Sequence, residues 1–100
     1  MKYRVLFPTQ SLEDKFYKLL VKLPRKMQNS IMETTGYLSE NPYPQEKNIF
    51  KKLTPPIKLT QYTAQYRLRI GDYRVLYDVD EAKKTVWVFA LRKRGEDTYK

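Results

Sequence analysis

Cysteine and histidine are both missing from this sequence. Without cysteine there is no disulfide framework and no thiolate metal site. Without histidine the commonest metal ligand and the usual general base near neutral pH are gone. Zinc, haem and Ser-His-Asp chemistry are therefore poor readings, and no metal or cofactor is expected. Acidic side chains are scarce too, 11 against 20 lysines and arginines, for a formal net charge of +9. That excess points to a polyanionic partner, either nucleic acid or an acidic protein. Long apolar runs are absent: "MKYRVLFPTQSLEDKF" lacks the core of a signal peptide, and no stretch suffices to span a bilayer. The expected setting is cytoplasmic, with no membrane partner. "RIGDYR" holds a single glycine, whereas a phosphate-cradling loop needs several leading into a helix.

What is present reads as one globular domain over residues 1–100, with 41% hydrophobic and 31% charged residues. The most informative stretch is "QYRLRIGDYRVLY", residues 65–77. Tyr66, Leu68 and Ile70 alternate with Arg67 and Arg69, and Val75 and Tyr77 alternate with Arg74. Side chains of a strand point alternately to its two faces, so this predicts two strands with one apolar side and one arginine side. "GD" at 71–72 is the hairpin turn between them.

"KYRVLF" predicts a first strand, stopped by Pro8. Ser11 then caps a helix with Glu13 and Asp14 in its first turn and an inner stripe of Leu12, Phe16, Leu19, Leu20 and Leu23. Pro24 separates it from a second helix in "RKMQNSIMETTGYLSE", with Met27, Ile31, Thr34 or Thr35, and Leu38 inside. The two helices should form an antiparallel hairpin. In residues 43–64, "NIFKKL" reads as a short strand or turn, and the prolines of "TPP" argue against a regular element across 55 and 56. The last strand, "TVWVFALR", sets Val86, Val88 and Ala90 against Trp87, Phe89 and Leu91; apolar on both sides, it belongs inside the sheet. The expected fold is α+β, in the order β-α-α-β-β-β, with the helical hairpin on one face of a small, mainly antiparallel sheet.

The arginines then emerge on the other face. Arg67, Arg69, Arg74, Arg92 and Arg94 are the candidates, with Lys51 and Lys52 joining from the preceding segment. Guanidinium groups bind phosphate oxygens in bidentate fashion and stack on bases. Salt bridges to Asp72, Asp78, Asp80 and Glu96 would instead make this a plain solvated face. Like charges in adjoining strands repel, however, which favours a site that an anion completes. Tyr66, Tyr73, Tyr77 and Trp87 read as packing residues, and Met27 and Met32 as ordinary helix residues. Asp78, Asp80 and Glu81 could in principle hold a divalent ion, but turns are acidic for many reasons.

"YRLRIGDYRVLYDVD…KKTVWVFALRKRGEDTY", with "LVKLP" and "LSENPYP" at the helix ends, resembles the RelE/ParE superfamily of toxins from type II toxin–antitoxin systems. The resemblance covers nearly the whole chain and implies a RelE-like fold. It also implies an mRNA interferase that enters the ribosomal A site and cuts the codon there, inhibiting translation. The implied catalytic residues are Arg67, Arg69, Arg74, Arg94 and Tyr99; Lys51, Lys52, Lys58, Arg92 and Lys93, which the resemblance does not align, are the candidates for binding RNA or ribosome. An acidic antitoxin would be the cellular partner, with the toxin either monomeric or held in that heteromeric complex. The best-studied relatives carry lysines where this chain has Arg67 and Arg69. Some members of the superfamily inhibit DNA gyrase instead, and a relative that binds RNA without cutting it is a further alternative.

Metal-independent RNA cleavage proceeds by attack of a ribose 2′-OH on the adjacent phosphate, leaving a 2′,3′-cyclic phosphate and a 5′-OH. Arginine can clamp the phosphate and neutralise charge, but with a pKa above about 12 it does not deprotonate. Tyr99 is the best proton-transfer candidate, because a phenol titrates near 10 and lower beside cations. Glu96 and Asp97 are weaker ones.

Overall fold

The computed structural model describes residues 2–45 and 48–94. Tyr99, Glu96 and Asp97 lie outside the described residues. The elements run β1 (Arg4–Leu6), α1 (Gln10–Leu20), α2 (Arg25–Tyr37), β2 (Phe50–Lys58), β3 (Thr63–Ile70), β4 (Tyr73–Asp80) and β5 (Thr85–Lys93). The sheet order is β1-β5-β4-β3-β2, with β1 parallel to β5 and every other pair antiparallel. The architecture is the expected α+β one, with a strand more than the sequence predicted.

That strand is β2, which crosses Pro55 and Pro56 where no regular element was expected. Two circumstances allow it. β2 is the sheet edge, so its outer side needs no N–H donors, and its pairing with β3 lapses between Lys52 and Ile57, where the prolines sit. The helix start also differs from expectation. Thr9, not Ser11, caps α1: its extended backbone places the hydroxyl oxygen to accept from Leu12 N–H at 3.1 Å.

α1 ends at Leu20, and Pro24 precedes α2 as its cap residue. Gln28 donates from Nε2 to the Leu23 carbonyl at 2.8 Å, satisfying an acceptor that the end of α1 leaves open. The helices cover one sheet face. Phe16, Leu20, Leu23, Ile31 and Leu38 pack there on Leu68, Ile70, Val75, Tyr77, Val86 and Val88. Tyr77 is fully buried, and its hydroxyl donates to the Pro42 carbonyl at 2.7 Å. Burial pushes that phenol's pKa up, so it stays a neutral donor. The packing roles expected of Tyr66 and Tyr73 hold as well.

Leu91 breaks the expected parity of β5. Tyr77 pairs with Val88 and Leu76 with Ala90, so Phe89 is an extra, bulged residue. The bulge turns Leu91 to the helix side with Val86 and Val88, and leaves Ala90 and Arg92 on the other face. A second, smaller cluster occupies that face: Leu53, Ala64, Leu76 and Phe89, with Tyr62 and Trp87 beside them. Tyr62 stacks on Phe89 with ring centroids 5.1 Å apart, which brings the β2–β3 turn over the face.

Candidate functional site

Alternation and register place the arginines. The helix-facing residues of β3 and β4 are Leu68, Ile70, Val75 and Tyr77, so Arg67, Arg69 and Arg74 project from the opposite face. Arg69 pairs directly with Arg74, and Arg74 with Arg92. Three guanidinium-bearing residues therefore form one row across three adjacent strands, about 4.8 Å from each to the next. In the neighbouring row Lys51 pairs with Arg67, which pairs with Leu76.

At the hairpin end, Gly71 takes φ 59°, and the Met27 methyl lies 2.8 Å from where a Cβ would stand. Glycine answers both the left-handed backbone and the close approach. Asp72 accepts through its carbonyl from Arg94 N–H, tying the exit of β5 to this turn. Arg94 thereby reaches the same depression as the strand arginines. A cleft of about 260 Å³ results, lined by Lys51, Leu53, Arg67, Arg69, Arg74 and Arg94.

The remaining predicted residues separate by face. Lys52 pairs with Tyr66 and Lys93 with Tyr73, on the parity that faces the helices, so neither joins the row. Lys58 stands at the far end of β2, on a different cleft that Arg92 also lines. Leu53 had no place in the sequence reading of the site. Its signal was hidden in the segment whose prolines argued against a strand.

The acidic side chains toward the far end of β4 make local hydrogen bonds. Asp78 accepts from Val79 N–H at 2.8 Å and Asp80 from Lys83 N–H at 3.1 Å. Burial holds the Asp78 carboxyl above its usual range. Glu81 accepts from Tyr3 Oη at 2.8 Å, from Lys84 Nζ at 3.2 Å and from the Tyr43 hydroxyl. The Tyr43 bond, then those of Tyr3 and Lys84, hold the Glu81 carboxyl below its usual range. Arg74 and Asp78 are four residues apart on β4, roughly 13 Å along the strand. Among the described residues no group of three or more Asp or Glu side chains is arranged to hold a metal ion. No described helix is long and apolar enough to cross a membrane.

A helical hairpin on one face of an edge-extended sheet, with clustered arginines on the other, defines the class of this small α+β protein. Comparison with known proteins gives that class its family. The family described as the ParE toxin of the type II toxin–antitoxin system, parDE, matches residues 6–98. An archaeal RelE–RelB complex from Pyrococcus horikoshii contains a chain 32% identical to this one, with TM-score 0.71, over 96% of this chain and 99% of that one. The toxin–antitoxin complex RelBE2 from Mycobacterium tuberculosis matches at 26% identity and TM-score 0.63, over 94% and 100%. Escherichia coli toxin RelE, at 20% identity and TM-score 0.56 over 98% and 88%, shares the fold. Among curated proteins none matches. The chain belongs to the RelE/ParE superfamily and is a toxin of a type II toxin–antitoxin system.

Proposed function

We propose that this toxin is a ribosome-dependent endoribonuclease that cuts mRNA in the A site and thereby inhibits translation. The observation that carries the reading is the Arg69–Arg74–Arg92 row beside a cleft that Arg67, Arg94 and Lys51 complete. A row of guanidinium groups offers a phosphate several charge-assisted, bidentate donors at once.

In the proposed reaction the ribose 2′-oxygen bonds to phosphorus as the P–O5′ bond breaks. The 2′ proton leaves to a base, and a proton reaches the 5′ oxygen. Arg67, Arg69 and Arg74 clamp the phosphate and stabilise charge on the phosphorane, and Arg94 neutralises the leaving oxygen. Tyr99 transfers the proton, an assignment resting on sequence alone. Preorganised charge contacts of this kind contribute about 3–4 kcal/mol each, and a general base about a hundred- to ten-thousandfold. The ribosome supplies much of the orientation, so little cleavage of free RNA is expected. The relatives from P. horikoshii and M. tuberculosis are found with antitoxins. An acidic antitoxin covering the basic face is accordingly the proposed partner here.

Primer extension on a defined mRNA in a purified translation system, with and without ribosomes, tests the reading. Cuts inside A-site codons that require ribosomes and vanish with Arg74→Ala or Tyr99→Phe are expected. The match to the ParE family favours a second reading, inhibition of DNA gyrase. Loss of supercoiling activity in a gyrase assay, with no mRNA cuts, would select it. RNA binding with neither effect would select a non-catalytic relative.

A further inference from the structure

The arginine row ends at Arg92, and a second, larger cleft begins there. It measures about 730 Å³, within the span of roughly 300–1,000 Å³ usual for pockets that enclose small ligands. β1 covers β5 only from Thr85 to Trp87, so beyond Trp87 no described strand pairs with β5 on that side. The first turn of α1 passes along this gap, and the β2–β3 turn closes it from above. Leu59 N–H donates to the Tyr62 carbonyl at 2.7 Å, which holds that turn tight. Lys15 on α1, Lys58 at the end of β2 and Arg92 on β5 stand around the cleft. Leu12, Leu59, Tyr62 and Phe89 give it apolar walls, and among the described residues no aspartate or glutamate lines it.

The two clefts have complementary chemistry. The arginine cleft offers cations, with Leu53 as its single apolar residue among the described ones. The second offers an aromatic wall in which the Tyr62 ring, itself half-buried, lies within 22° of parallel to the buried Phe89 ring. A flat ring braced from behind is a stacking platform that loses little freedom on binding. Thr60 and Gln61 at its rim carry groups that can hydrogen-bond to a base edge. Arg92 lines only the second cleft, but it pairs with Arg74 of the first and so joins the row to it.

We infer that this cleft is a nucleobase subsite, in which a base stacks on Tyr62 while the arginine row holds a neighbouring phosphate of the same single strand. The inference rests on the RNA reading above and deepens it. Lys15 and Lys58 then take the flanking phosphates. Codon preference follows from the rim residues Thr60 and Gln61, which no sequence motif marked. An acidic amphipathic peptide is the competing occupant. The parallel aromatic pair and the pairing of Arg92 with Arg74 favour the nucleic acid.

Fluorescence anisotropy of the full-length toxin with labelled single-stranded RNA hexamers tests this, using a set with one abasic position moved along the strand. For the native protein, one abasic position should weaken binding by about fivefold to a hundredfold, the span of one base–aromatic stack. Tyr62→Ala should lose the same factor, and the abasic position should then cost nothing more. Tyr62→Phe keeps the ring and should bind as the native protein does. Lys15→Gln, on an exposed helix position, should lower the salt slope by about one. This second variant tests the subsite even where Tyr62→Ala does not fold. Penalties that simply add, or no abasic penalty at any position, would overturn the subsite. So would loss of an acidic peptide's binding in Tyr62→Ala while RNA affinity stays unchanged. Arg74→Ala separates the two levels. If it weakens RNA binding while the Tyr62 variants do not, only the subsite fails; if it too leaves binding unchanged, the RNA reading fails with it.

Discussion

The two faces of β3 and β4 use the same backbone and do opposite things. One face carries Leu68, Val75 and Tyr77, each 0% exposed, under the helical hairpin. The other carries Arg67, Arg69 and Arg74, separated from those core residues by one position in the chain. On the buried face each side chain gains by leaving water, and neighbours reinforce one another. On the arginine face like charges sit side by side, Arg69 beside Arg74 and Arg74 beside Arg92, a pattern that in the proposed reaction holds a phosphate. Core positions and charged positions thus alternate along the same strands. Substitutions on the two faces should separate cleanly in what they damage.

The largest effect is expected on the buried face. Leu68→Ala removes a fully buried side chain from the centre of the sheet and should cost about 2–5 kcal/mol of folding stability. Urea denaturation measures it, and a cost near zero would mean the helix-side core is not what holds the sheet. Arg74→Ala should do the reverse. In the proposed reaction it loses at least about a hundredfold in ribosome-dependent cleavage, roughly 2.7 kcal/mol in the transition state. Its melting temperature should move by only a few degrees, because Arg74 lies on the face away from the helix-side core. A variant that unfolds, or one that stays fully active, would break the division between faces.

The alternation that separates these faces was legible in "QYRLRIGDYRVLY", because a period of two leaves little choice of which residues go inward. The hairpin of helices was legible for the same reason at its own period. Two features were not. The Phe89 bulge shifts Leu91 and Arg92 by one position, and nothing local to "VFALR" marks it, since residues on both parities are apolar. It matters here because it turns Arg92 to the side of Arg74. β2 was hidden by Pro55 and Pro56, whose effect depends on whether the strand lies at an edge. Edge position is a property of the whole sheet, not of the segment. Without β2, Lys51 and Leu53 could not be placed beside Arg67 and Arg74.

A subtler change on the buried face should give a smaller effect. Tyr77→Phe keeps the ring but strips the donor from the Pro42 carbonyl. Leaving a buried acceptor unsatisfied should cost about 1–3 kcal/mol. Calorimetry would register it, and cleavage by the folded fraction should be unaltered.

The smallest effect belongs to the far end of β4, where Glu81 gathers Tyr3, Tyr43 and Lys84. The carboxyl titrates below its ordinary 4.5, chiefly because the Tyr43 hydroxyl bonds to it, with Tyr3 and Lys84 adding to the effect. A carboxylate favoured in the folded state contributes stability above its unfolded pKa and loses it as pH falls through the lower folded value. The Lys84 shift runs the other way, upward with Glu81 as its main cause, so its contribution fades only at strongly alkaline pH and leaves the acid window to Glu81. Glu81→Gln should therefore melt slightly below the native protein at pH 7, and the gap should close as the pH drops below about 4.5. Melting curves of the two proteins between pH 7 and pH 3 measure that gap. A gap that stays constant across the window would mean that shape, not charge, holds the two tyrosines to this turn. Closure of the gap with cleavage unchanged would place the carboxylate among the groups that hold the sheet together, apart from the arginine face at the other end of the same strand.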